Sequence, residues 1–275
     1  MPDTGQDKVL EEVVEGLRFP DSPDYDRAVE ILGRMPPGEV RELFGRLMDD
    51  PDAPLALGVT RAVGILKLHE ATDLMMALVE EPGKWFGHAD RALIRMAAVE
   101  SLGLLRASES VEILLGLISA SHDAEIQLGA VRALGRIGDQ SSVHPLIARM
   151  RAQPAIALSA TGALAQIGGE DAFQGLLKGL ESDEEMIRSA SVWALGKMAD
   201  ERAIRPLMRL VMRSDAFLRR DIAWALGQIG GMLARVALGT LCQRDPDPGV
   251  RREAARAIQG GAVLGRSGGE ASTEE

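Results

Sequence analysis

The sequence predicts an all-α solenoid of about eight stacked helix pairs, and three observations carry that expectation. The stretch Ile126 to Ile137, IQLGAVRALGRI, returns as IRSASVWALGKM at 187–198 and as LRRDIAWALGQI at 218–229, a period of about 31 residues. A period of that length holds two helices of about 12 to 15 residues and two short turns. Aromatic residues make up 3% of the chain, and β-branched residues never form the alternating runs that a sheet needs.

Each copy carries a Leu-Gly step after a small residue. With its Leu as anchor, the equivalents are Leu32, Val63, Leu102, Leu134, Leu164, Leu195, Leu226 and Ile258. By subtraction the spacings are 31, 39, 32, 30, 31, 31 and 32, so one gap departs from the period and holds an inserted loop at 82–90. The anchor lies on the inner helix of each pair. An acid 11 or 12 residues earlier, at Asp52, Asp90, Asp123, Asp183, Asp215 or Asp247, reads as its N-cap, where a carboxylate accepts from orphan backbone N–H groups. Gly138, Gly168-Gly169 and Gly230-Gly231 read as helix stops.

Outer helices follow at VHPLIARM, AFQGLLKGL, AIRPLMRLV and LARVALGTLC, with Pro145 and Pro206 near their starts. At the amino end, residues 1–21 read as a capping helix with Val9, Val13 and Leu17 along one stripe. The array spans 22–260. Its last helix, VRREAARAIQGG, substitutes Ala and Arg for large apolar residues, and 261–275 read as a disordered tail.

Residues 123 to 148, DAEIQLGAVRALGRIGDQSSVHPLIA, and their copies resemble HEAT repeats, most closely the short bacterial subtype of the phycobilisome lyase-like proteins. The resemblance covers about residues 22–260. It implies a right-handed superhelix with outer helices on the convex side and inner helices lining a concave groove. Such proteins include scaffolds, chromophore-lyase subunits, iron-dependent hydroxylases and DNA glycosylases. The hydroxylase pattern needs several His-Glu steps, and this chain has one, His69-Glu70.

Within an inner helix the anchor and the residues one, four and eight before it and three after it share one stripe, which is the buried one. In the fourth copy these are Leu134, Ala133, Ala130, Ile126 and Ile137. The position two before the anchor lies on another face and varies: Glu30, Arg61, Glu100, Arg132, Gly162, Trp193, Trp224 and Arg256. Trp193 and Trp224 hold the same register in adjacent copies, which predicts indoles about 10 Å apart on one surface. They read either as a partner-binding patch or as oversized core lying flat between inner helices. Lys197, Arg220, Asp221 and Gln228 are the polar neighbours expected by offset, and Arg132 and Arg256 extend the column. Trp85 and Phe86, between two glycines of the inserted loop, read as a second contact or as a cover over the widened gap. Arg188, Arg219 and Arg251, seven before the anchor, read as a ladder of inter-repeat ion pairs.

The formal charge is −10, yet it is polarised: residues 1–53 hold 14 acids and 6 bases, and residues 186–260 hold 7 acids and 13 bases. The acidic total argues against general nucleic-acid binding, while the basic third suits an acidic partner. The four His residues fall at unrelated offsets, so no metal-ligand spacing exists, and no phosphate-cradling glycine motif is present. Cys242, the single cysteine, reads as a small buried residue. No catalytic residue, metal or cofactor is expected. With no apolar run of membrane-spanning length and no signal-like leader, a cytoplasmic location is expected. The reading is a non-catalytic scaffold or adaptor that binds a protein partner on the concave groove. The alternatives are a lyase-like accessory subunit handling a tetrapyrrole or assisting complex assembly, and a glycosylase acting through groove tryptophans and Asp221.

Overall fold

A computed structural model describes residues 4–48, 53–80, 88–121, 123–152 and 154–264. Every regular element among them is helical, and the fold is an all-α solenoid. The chain divides into two compact units, Met1–Ser142 and Val143–Glu275.

The first unit holds α1 (Thr4–Leu17), α2 (Pro23–Leu32), α3 (Pro37–Met48), α4 (Ala53–Leu66), α5 (Thr72–Glu80), α6 (His88–Leu105), α7 (Val111–Ala120) and α8 (Ala124–Ile137). They pair in chain order, outer then inner, and the inner helices α4, α6 and α8 stack side by side. The second unit repeats the scheme with α9 (Val143–Ala152), α10 (Pro154–Ile167), α11 (Gly169–Gly179), α12 (Glu185–Met198), α13 (Ile204–Val211), α14 (Ala216–Ile229), α15 (Gly231–Arg244) and α16 (Pro248–Leu264). Here α10, α12, α14 and α16 are the stacked inner helices.

The anchors lie where their spacing places them. Leu32, Val63, Leu102, Leu134, Leu164, Leu195 and Leu226 are buried, and Ile258 on the last helix is half-buried. Ala133, Ala130 and Ile126 are buried with Leu134, and Ile137 is half-buried.

The Leu-Gly step has a packing cause. A Cβ built on Gly103 would come within 2.8 Å of the Ala133 Cα on the next inner helix, and one on Gly196 within 2.9 Å of the Ala225 Cα. On Gly227 it would lie 2.7 Å from the Ala257 Cβ. The glycine after each of these anchors therefore touches the small residue before the next anchor, backbone to backbone, and neither position tolerates a larger side chain. At the amino end the close approach is at Gly58, where a Cβ would collide with the Leu17 carbonyl. The buried Tyr25 hydroxyl donates to the Gly58 carbonyl at 3.1 Å, and burial pushes its pKa up to about 12.

Three predicted caps form. The Asp123 carboxylate accepts from the Glu125 and Ile126 amides, Asp215 from Leu218, and Asp247 from Gly249 and Val250. Two do not. Asp90 lies inside the first turn of α6, and Glu184 rather than Asp183 occupies the cap position of α12 without a side-chain bond. In that loop Arg188 instead takes the backbone carbonyls of Ser182 and Asp183, each at 2.7 Å. Asp52 is outside the described residues. Three further expectations shift: Val9 is exposed although Val13 and Leu17 are buried, residues 88–90 of the inserted loop are helical, and α16 continues to Leu264.

Gly138, Gly168, Gly169, Gly230 and Gly231 all have positive φ, as expected of helix stops, but α12 ends on Ala199 in the same left-handed region, φ 52° and ψ 34°. A Cβ is strained there by about 1 kcal/mol. Ala199→Gly should therefore raise the urea midpoint by the equivalent of about 0.5 to 1 kcal/mol. A lowered midpoint would show that the strain is not stored at this residue.

The arginines seven before the anchor form hydrogen bonds to loop carbonyls more than ion pairs. Arg188, Arg219 and Arg251 each donate to a carbonyl of the loop that opens their own helix: Ser182, Ser214 and Asp245. Gln127, at the same offset in α8, does so to Ser121. Among the described residues, Arg219 alone of the three also reaches the next repeat, through a two-pronged bond to the Asp245 carboxylate at 2.8 and 3.0 Å.

Candidate functional site

Every residue two before the anchor escapes burial: Glu30, Arg61, Glu100 and Arg132 in the first unit, and Gly162, Trp193, Trp224 and Arg256 in the second. A helix that buries one stripe against its neighbours must turn its remaining face to solvent, so this column is a surface by construction.

In the second unit the column carries an aromatic pair. Trp193 is 41% exposed and Trp224 is half-buried. Their ring centroids are 6.3 Å apart and the planes differ by 5°. The rings are closer than the roughly 10 Å between inner helices because the Trp224 indole reaches back over α12, the helix that carries Trp193. The Trp193 Cζ3 lies 3.9 Å from a Cβ built on Gly162, and the Trp224 Cζ3 3.0 Å from one on Gly196. Glycine at 196 gives the Trp224 ring its seat, while the Trp193 ring meets Gly162 at ordinary van der Waals distance.

The Lys197 ammonium lies over both indoles, 5.5 Å from one centroid and 5.7 Å from the other, which is cation–π range. The Arg220 guanidinium lies 4.7 Å from the centre of the Phe217 ring. Asp221 accepts a 2.8 Å bond from the Ser189 hydroxyl on the adjacent inner helix, so its carboxylate bridges α12 and α14. Gln228 is exposed one turn beyond Trp224, and with Trp224, Glu253, Arg256 and Ala257 it lines a cleft of about 380 Å³ between α14 and α16. Arg256 is 3.6 Å from Glu253.

Of the expected set, the structure brings together Trp193, Trp224 and Lys197, with Arg220, Asp221, Gln228 and Arg256 on the same row of inner helices. Arg132 is an exposed residue of the first unit. Trp85 and Phe86 lie outside the described residues. Three apolar members escaped the sequence reading: Leu158, Met186 and Phe217 are all exposed. Their signal was present, since Met186 and Phe217 both stand nine before an anchor and Leu158 six before one, offsets that the buried stripe does not use.

No group of three or more His, Cys, Asp or Glu side chains gathers among the described residues. Among them, too, no helix is long and apolar enough to cross a membrane.

The sequence matches the HEAT-repeat family over residues 84–165, 145–227 and 173–259. No curated protein matches it. Among solved structures it is similar to human deoxyhypusine hydroxylase in complex with glycerol, at 22% identity and TM-score 0.42, covering 94% of this chain and 99% of that one. It is similar also to the complex of CpcE and CpcF of phycocyanin lyase from Nostoc sp. PCC7120, at 19% identity and TM-score 0.48, covering 82% and 94%. An engineered protein is similar at 18% identity and TM-score 0.38, covering 82% and 99%. The family match takes in more than half of the sequence and both members of the tryptophan pair: the chain is a HEAT-repeat protein.

Proposed function

We propose that the chain is a non-catalytic scaffold that holds a protein partner on the inner-helix face of its second unit. The observation that carries this reading is the stacked, partly exposed Trp193–Trp224 pair with Lys197 over both rings. Indoles left in water cost free energy that only an occupant recovers, and Trp and Arg are the residues that dominate measured binding hot spots. Leu158, Met186 and Phe217 widen the apolar strip. Lys197, Arg220 and Arg252 beside it have no ion-pair partner among the described residues, so the occupant that suits this face carries apolar anchors flanked by carboxylates.

Affinity capture from the native host with wild-type bait and with bait carrying Trp193→Ala and Trp224→Ala tests the reading. A specific partner should be lost by at least about 30-fold in the double variant, the loss of a single hot spot of about 2 kcal/mol. Capture of the same proteins at equal strength would remove the pair from the interface. On this reading a bilin leaves the visible absorbance unchanged, and duplex DNA shows no salt-dependent binding.

A further inference from the structure

A second surface lies on the outer helices of the same unit, away from the helices that carry the tryptophans. On α13 and the turn after it, Met212 is 88% exposed; on α15, Met232 and Val236 are 75% and 63% exposed, and Leu233 is exposed as well. Solvent-facing helices of a soluble chain do not ordinarily carry four such side chains on adjacent elements. The spacing of Leu233, Val236, Thr240 and Arg244 puts them on one line along α15, and Met208 and Met212 form one line along α13. Between the two lines runs a groove of about 370 Å³ lined by Met208, Val211, Met212, Thr240, Leu241 and Arg244.

Arginine dominates the charge of these two helices. From Ile204 to Arg213, and throughout α15, there is no Asp or Glu, while Arg205, Arg209, Arg213, Arg235 and Arg244 are all exposed. None of these five has an ion-pair partner among the described residues. Asp245 closes one end of the groove, but its carboxylate is already held by Arg219, whose third contact goes to the Ser214 carbonyl. That pair is saturated and neither repels nor binds an incoming group. Arg244 lines the groove and the other four stand on the helices and turn that flank it, so in a chain of formal charge −10 these two helices are a local inversion of the molecule's own charge.

We propose that the groove between α13 and α15 is a docking site for an acidic amphipathic helix of another protein. Its apolar face would fill the methionine-lined floor, and its carboxylates would meet the arginine rim. Three features favour a peptide over a lipid surface. Met208, Val211, Met212 and Leu241 line a groove, no aromatic side chain stands on these two helices, and the cations are all arginines, whose planar fork matches carboxylates in pairs. Methionine adapts to the apolar shapes of a helix face, which suits such a floor.

The test uses the full chain and a labelled synthetic helix with leucines on one face and glutamates on the other, read by fluorescence anisotropy. Saturable binding is expected, weakening with salt. It should fall at least about tenfold when Arg209 and Arg244 are both changed to Glu, and again with Met212→Asp, since reversing rim charge and charging the floor both oppose this ligand. Circular dichroism checks that the variants keep their helices; the substituted side chains are solvent-facing, so folding should survive. Trp193→Ala with Trp224→Ala should leave this binding unchanged, which separates the site from the inner-helix face. Four outcomes would overturn the proposal: no saturable binding, equal binding of the same helix with lysines for glutamates, loss of binding in the tryptophan variant, or stronger binding to vesicles containing phosphatidylserine than to the peptide.

Discussion

Leu134→Ala should lower the free energy of unfolding by about 2 to 5 kcal/mol, the cost of emptying a buried leucine site that its neighbours cannot fill. Leu134 has no exposed surface and sits among Ile126, Ala130, Val131 and Ala133, all buried. The adjacent contact of Ala133 with Gly103 fixes how closely α6 and α8 approach, so the two helices cannot move inward to close the gap. Urea unfolding followed by circular dichroism measures the loss. Arg132→Ala, two residues earlier on the exposed column, provides the contrast and should stay within about 0.5 kcal/mol of wild type. A loss below about 1 kcal/mol for Leu134→Ala would mean that the stripe does not carry the stability of its repeat.

Arg219→Ala should cost about 2 to 3 kcal/mol at neutral pH, because it leaves Asp245 covered with no cation to meet it. The side chains are 14% and 3% exposed. The pair lies shallow, under the groove between α13 and α15, so solvent screening keeps the figure toward the lower end. The hydrogen bonds from Arg219 hold the Asp245 carboxyl below the usual carboxylate range against the opposing effect of burial. A carboxyl depressed in the folded state contributes stability that is complete above its unfolded value, near 4, and is lost as pH falls through the lower folded value. The gap between wild type and Arg219→Ala should therefore narrow as the pH is taken below about 4. Equal gaps at neutral and acid pH would show that Arg219 acts through its Ser214 contact and its packing rather than through Asp245.

The fold was legible because one physical requirement recurs every 31 residues or so: a large aliphatic at the anchor, followed by glycine in six of the eight copies and preceded by a small residue in seven. The reason for that glycine was not legible. It is a contact with the following inner helix, as Gly196 with Ala225, and a distance between helices leaves no mark within one repeat. The caps show the same division. Asp123, Asp215 and Asp247 face free amides, whereas at Asp183 a competing donor, Arg188, organises the loop through its carbonyls, and only the assembled geometry reveals the competition.

The tryptophan pair was visible as register, and the register places the two indoles on one face. Their approach to 6.3 Å was not visible, because it depends on how far the Trp224 ring leans over Gly196 toward Trp193. The groove on the outer helices escaped because the repeat pattern draws attention to the inner ones. On α13 the buried Ile204, Leu207 and Leu210 satisfy the expectation of an amphipathic helix, and the surplus of Met212 beside Arg213 becomes conspicuous only once its exposure is known.

Each indole touches the helix before it, and α4, α6, α12 and α14 each meet the next inner helix through the glycine after the anchor and the small residue before the next one: Gly64 with Ser101, Gly103 with Ala133, Gly196 with Ala225 and Gly227 with Ala257. Both halves of such a joint are thus encoded inside a single cassette of about 31 residues. A gene that copies such a cassette in tandem lengthens the aromatic strip by one rung with the joint already matched. The exposed strip of the inner helices can grow or shrink in whole steps by recombination, with no compensating substitution elsewhere in the chain.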